Sequence, residues 1–177
     1  MVQWIKQNSV LFLIIVTLLM LFVNLGVLQT NIMEARNIIS AREMVHDGNW
    51  IFTTLNGLPR YEKPPLPTWI TAAFGSVFGF ELLFWLRLQV VLINILLLVW
   101  FYKTLTHFDL TKQQVVNSSL VLITSFYVFF SGRDNNWDMY THSFVMGAIL
   151  FLVKEFQSSK FNLFNFIAAF FLLACSI

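Results

Sequence analysis

Charge is what this sequence has least of. Only 11% of its 177 residues are Asp, Glu, Lys or Arg, with a net charge of +2, where a soluble domain carries about 25%. So slight a surplus gives no electrostatic reason for a nucleic-acid partner, and none is expected. Cysteine is nearly absent. Cys175 stands alone in an apolar run, so it forms no internal disulfide, says nothing of redox compartment, and reads as a small buried hydrophobe. Also missing is any A-x-A cleavage site after the first apolar stretch, Val10 to Leu28. That stretch is as long as a bilayer crossing, so it is expected to remain as a membrane helix although Lys6 precedes it as in a signal peptide. At the other end, Phe161 to Ile177 stops with no polar flank, and the chain is expected to be the N-terminal piece of a longer protein. What is plentiful is apolar surface: 58% hydrophobic residues, 20 of them Phe, and a mean hydropathy of +0.72. Lipid is expected to solvate most of it.

The expected fold class is all-α, a single polytopic transmembrane domain. Spans are expected over about 10–29, 88–105, 114–131, 139–156 and 161–177, each near the length that about 30 Å of hydrocarbon requires. Leu66 to Phe80 opens with prolines, contains Gly75 and Gly79, and is short. It is expected to lie along the interface with Trp69 at headgroup depth. The Lys103/Lys112 loop and the Lys154/Lys160 loop then share a side with Lys6, as the positive-inside rule asks. Residues 30–87 and the link 132–138 fall together on the external side. Within the spans the main polar residues are Asn94, Asn117 and His142. A transporter usually carries ionisable groups or broken helices at mid-bilayer; here the charge sits in external loops, which favours chemistry at the surface.

Ile32, Ala35, Ile39 and Val45 recur at helical spacing, Asn31 with Glu34 fits a capping box, and Gly48 is a stop. An amphipathic helix therefore follows the first span. By its spacing alone Glu34 fits a helix cap better than a catalytic group, and Arg36, Arg42 and Glu43 fit a solvated face. Asn56-Gly57 marks a turn. Arg60, Glu62 and Lys63 then sit on a stretch stiffened by Pro64-Pro65, suited equally to anchoring at the interface and to holding an anion. In the second link, Arg133, Asp134 and Asp138 meet at a helix junction where Asp138 fits an N-cap.

Taken together, Glu34-Ala-Arg36, Arg42-Glu43-Met44, Gly48-Asn-Trp50, Asn56-Gly57, Glu62-Lys63-Pro64-Pro65-Leu66 and Trp69 resemble the first periplasmic loop of bacterial aminoarabinose transferases, which belong with the protein O-mannosyltransferases in the GT-C superfamily. Arg133 with Asp138-Met139 resembles that family's second loop, and the resemblance runs over about residues 5–160. It implies a glycosyltransferase of the bacterial inner membrane, active on the external face. Such an enzyme moves a sugar from a polyprenyl-phosphate donor to a lipid, protein or glycan acceptor, and membrane lipids are its other partners. Met33 stands where the family usually has an acid. Phosphate is a good leaving group, so the reaction needs a base and positive charge for the departing phosphate. The candidates are Glu34 and Asp138 as catalytic carboxylates and Lys63, Arg60 and Arg133 as phosphate ligands. Glu62 either orients Lys63 or holds a divalent cation, Mg²⁺ or Mn²⁺. A single displacement inverts the anomeric carbon. Residues 1–177 by themselves are expected to be inactive.

The main alternative is a transporter or flippase subunit for lipid-linked sugars, which calls for mid-bilayer charge. A non-enzymatic assembly subunit leaves the loop charges without a role. A polymerase or ligase of the same superfamily would share these motifs.

Overall fold

The computed structural model describes residues 7–176, and it is mostly helical. Lys6, part of the case for an internal N-terminus, lies outside the described residues, as does Ile177. The elements run in order α1 (Ser9–Phe22), α2 (Ile32–Asp47), β1 (Thr54–Leu55), β2 (Leu58–Pro59), α3 (Pro65–Phe78), α4 (Leu83–Leu105), α5 (Lys112–Thr124), α6 (Phe126–Ser131), α7 (Asp138–Gln157) and α8 (Leu163–Cys175).

Among the described residues one helix, α4, is long and apolar enough by itself to cross a membrane; α1 and α8 are apolar but shorter. Three expected spans are helical over less than their length, the last of them, 161–177, over Leu163–Cys175. The first stops at Phe22, after which Asn24 takes a left-handed conformation (φ 57°). The 114–131 segment is broken: Ser125 is extended (ψ 140°), and its hydroxyl accepts from the Val128 amide, so α6 restarts on its own cap.

Helix α4 is the centre of the molecule, packing against α1, α3, α5 and α7, while α7 also packs against α8 and α2 lies on α3. Three apolar clusters follow its length. Leu21, Leu25 and Val91 form one, Val90, Leu97, Val128, Met139 and Tyr140 the next, and Leu13, Leu98, Val116 and Ile123 the third. A fourth cluster, Ala41, Met44 and Ala72, pins α2 to α3. The residues on that face are small or slender, which lets two short helices approach closely. The segment 66–80 is thus a helix docked on α2 and α4.

The helix predicted after the first span is there, with its boundaries. Asn31 caps α2 by accepting from the Glu34 amide, and Gly48 ends it at φ 74° with its amide on Met44 O. Only half of the capping box forms, because the Glu34 side chain is used elsewhere. Asp138 is the first residue of α7, and Trp137 occupies the N-cap without a side-chain bond. Asp138 is therefore not the cap; the Asn136 Oδ1 accepts from its amide at 3.1 Å instead.

Candidate functional site

The 54–59 hairpin pairs Thr54 with Pro59 and Leu55 with Leu58. Its turn is Asn56-Gly57, with φ of 55° and 75°, the left-handed pair that a two-residue type I′ turn demands. Arg60 follows directly. Its amide donates to Thr53 O at 2.8 Å, and the Thr53 hydroxyl donates to Arg60 O. The chain then turns at Pro64-Pro65, where Pro65 starts α3 at a position that needs no amide donor.

This brings together residues far apart in sequence. The Arg60 guanidinium lies 4.9 Å from the ring centroid of Trp137, and the Lys63 ammonium lies 5.7 Å from the same ring. Asp138, next in sequence, is exposed. Arg60 is only 7% exposed, and neither of its terminal nitrogens has a hydrogen-bond partner. Leaving a buried polar group unpaired costs about 1–3 kcal/mol, more when it is charged. Burial pulls the Arg60 pKa below its usual value; Glu62 acts against this and Arg36 with it. Arg36, Arg60 and Glu62 line a cleft of about 210 Å³ whose apolar wall is Leu55, Leu58 and Pro59. The cleft holds two guanidinium groups against one carboxylate, a composition that takes up an anion. Glu62 is its one carboxylate. The neighbours there are cationic, and among the described residues no three His, Cys, Asp or Glu are grouped to hold a metal.

Glu34, expected as a catalytic carboxylate acting as base or in acceptor positioning, is engaged within the protein. It is 0% exposed, as is Arg87, and the two form a bidentate pair: Arg87 Nε donates to Oε1 and Nη2 to Oε2, each at 2.7 Å. The Asn135 amide donates a third bond to Oε1 at 3.1 Å, and Arg87 Nη1 donates to Leu25 O at 2.7 Å. Arg133 also stands apart from the cleft residues: it donates to Val23 O and lies over the Phe129 ring at 5.2 Å. Met33, one residue before Glu34, is 38% exposed.

A buried polar network ties the second link to the loop helices. Asn37 Nδ2 donates to Thr71 Oγ1 and Asn135 Oδ1, both at 3.1 Å, and Asn37 Oδ1 accepts from Thr68 at 2.8 Å. Gln89 Nε2 donates to Thr71 at 2.9 Å, and the Tyr140 hydroxyl donates to Gln89 Oε1 at 2.8 Å. Asp134 accepts from Asn31 Nδ2 at 2.6 Å. Burial, and then the charge of Glu34, raises its pKa above the usual carboxylate range. The sequence reading missed Arg87, Asn37 and Asn135 as organisers of the site. The available signal was Arg87 itself, a cation in the first turns of a mostly apolar helix.

The family model for dolichyl-phosphate-mannose-protein mannosyltransferases matches residues 62–177. A curated relative, the undecaprenyl phosphate-alpha-4-amino-4-deoxy-L-arabinose arabinosyl transferase of Pseudomonas savastanoi pv. phaseolicola, is 44% identical over 55 residues, 31% of this chain and 10% of its own length. The fold is similar to crystal structures of ArnT from Cupriavidus metallidurans. The apo form gives a TM-score of 0.77 at 21% identity, covering 94% of this chain and 31% of that one. The form bound to undecaprenyl phosphate gives 0.76 at 21% identity, with 94% and 30% covered. The chain thus spans about a third of the length of those structures.

Proposed function

The chain belongs to the dolichyl-phosphate-mannose-protein mannosyltransferase family, and from that premise we propose that it supplies the donor-binding face of a membrane glycosyltransferase. The reaction moves a sugar from a polyprenyl phosphate to an envelope acceptor on the external side of the inner membrane. The chain does so as part of a multi-pass domain whose loop 30–87 and link 132–138 share that side. Support for the donor comes from the curated relative, whose name specifies an undecaprenyl phosphate sugar, and from the ArnT structure bound to undecaprenyl phosphate. The relatives' names favour transfer over transport.

The observation that carries the reading is Arg60, a buried guanidinium with both terminal nitrogens unpaired. A phosphate oxygen would satisfy them with charge-assisted bonds. Lys63, over the same Trp137 ring, adds a point charge for the leaving phosphate as the glycosidic C–O bond breaks. Asp138 is the carboxylate for the acceptor hydroxyl, because Glu34 is spent on Arg87 and Met33 cannot ionise. Glu34 acts as a positioning residue, holding the second link through the Asn135 amide. Lipid A, a protein hydroxyl and another glycan are the acceptor classes this chemistry serves.

The test uses the protein as its host makes it, in proteoliposomes with a radiolabelled polyprenyl-phosphate sugar and an envelope extract. Label is expected to move from carrier to acceptor. Arg60→Ala and Lys63→Ala are each expected to lower transfer by about tenfold or more, the equivalent of about 1.4 kcal/mol or more at the phosphate. Movement of labelled lipid between leaflets without transfer would replace this reading with the flippase one.

A further inference from the structure

We propose that Glu43 is a positioning residue whose carboxylate fixes the 54–59 hairpin in the pose that keeps the Arg60 guanidinium buried and open to an anion. The inference rests on the reading of Arg60 as a phosphate ligand.

Arg60 is held where its side chain alone would not stay. The guanidinium lies over the Trp137 ring, but its terminal nitrogens have given up water without gaining a hydrogen bond inside the protein, and its long side chain would regain hydration by swinging outward. Its reach to the Trp137 ring depends on where the backbone places its Cα, and that backbone is paired with Thr53 at the open end of the hairpin. Each strand is two residues long, and a two-stranded hairpin is marginal in water even when longer. The grip comes from α2. Glu43 Oε2 accepts from the Thr54 hydroxyl at 2.5 Å, and its two oxygens lie 3.3 and 3.4 Å from the Gly57 amide. One carboxylate thus holds the first strand and the turn together. Helix α2 is itself immobilised by its two caps and by Ala41 and Met44 against Ala72. Glu43 does not line the cleft, so it acts on the anion through the hairpin and Arg60.

The test measures binding of a polyprenyl monophosphate to the detergent-purified protein, as its host makes it, by the tryptophan fluorescence that Trp137 contributes beneath Arg60. Arg60→Ala is expected to weaken binding about tenfold, the scale of a lost charged hydrogen bond. Glu43→Ala is expected to weaken it to a similar degree. Glu43→Gln, which keeps an oxygen for Thr54, should recover most of the loss. In the Arg60→Ala background, Glu43→Ala should add less than about twofold, because the two residues act in series. If Glu43→Ala does not fold, Thr54→Val releases the same grip from the hairpin side and is expected to weaken binding several-fold. Two results overturn the role of Glu43 while leaving Arg60 as the ligand: binding untouched by Glu43→Ala or Thr54→Val, or losses from Glu43 and Arg60 that multiply. Binding unchanged by Arg60→Ala removes the reading underneath, and this inference with it.

Discussion

Arg87 and Arg60 are both buried cations, and their surroundings separate structural from functional charge. Arg87 is matched inside the protein by the two Glu34 oxygens and the Leu25 carbonyl. Withdrawing two charges from water costs several kcal/mol each, and a bidentate pair with further bonds offsets most of that; removing one partner leaves the other uncompensated. Arg87→Met is therefore expected to destabilise the protein by about 3–5 kcal/mol, whereas Glu34→Leu with Arg87→Met should cost far less. Thermal unfolding in detergent measures both, and equal losses in the single and double variants would refute the pairing argument. Arg60 has no such partner, so its truncation should spare stability and strike ligand binding.

At the scale of elements, α4 acts as the post around which the others are arranged, and its contact with α7 depends on the lack of a side chain. A Cβ at Gly147 would meet the Trp100 ring at 2.7 Å, closer than van der Waals contact allows. Gly147→Val should push α7 from α4 and cost about 1–3 kcal/mol, as overpacked contacts do. A melting temperature as high as that of the unsubstituted protein would show that Trp100 can move aside. The same helix pair carries Gln89 and Tyr140, so the displacement should also loosen the network that reaches Asn135. The break at Ser125 belongs to this scale too. In sequence, 114–131 is one candidate span, but a hydroxyl at Ser125 offers a cap, and helix propensity alone does not show when a cap inside a span will be used.

For the whole molecule, the question is which side each loop faces. The proposed arrangement of five crossings would put the hairpin outside and the 158–160 turn inside. In a Cys175→Ser background, Leu58→Cys, 70% exposed, should react with a membrane-impermeant maleimide in intact cells. Ser158→Cys, also exposed, should react only after permeabilisation. Labelling of both in intact cells would mean that α3 crosses or that one of the other expected crossings does not.

Sequence by itself determined the class and the local forms. A composition with 11% charge and 58% hydrophobic residues cannot be covered with a polar surface, and this shows without coordinates. Asn31 acts through its side chain on a neighbouring amide, and Gly48 and Asn56-Gly57 act through their own backbones, so the bounds of α2 and the hairpin turn were legible from single residues. The motifs of the first loop also carried the family resemblance. Only the tertiary structure decided what each charge does. Glu34 and Arg87 are 53 residues apart, and Arg60 and Trp137 lie on different segments between helices. Whether a carboxylate is a free base or half of an ion pair depends on which neighbours the fold delivers and how much water it removes. Both are sums over distant parts of the chain, and no local pattern encodes them.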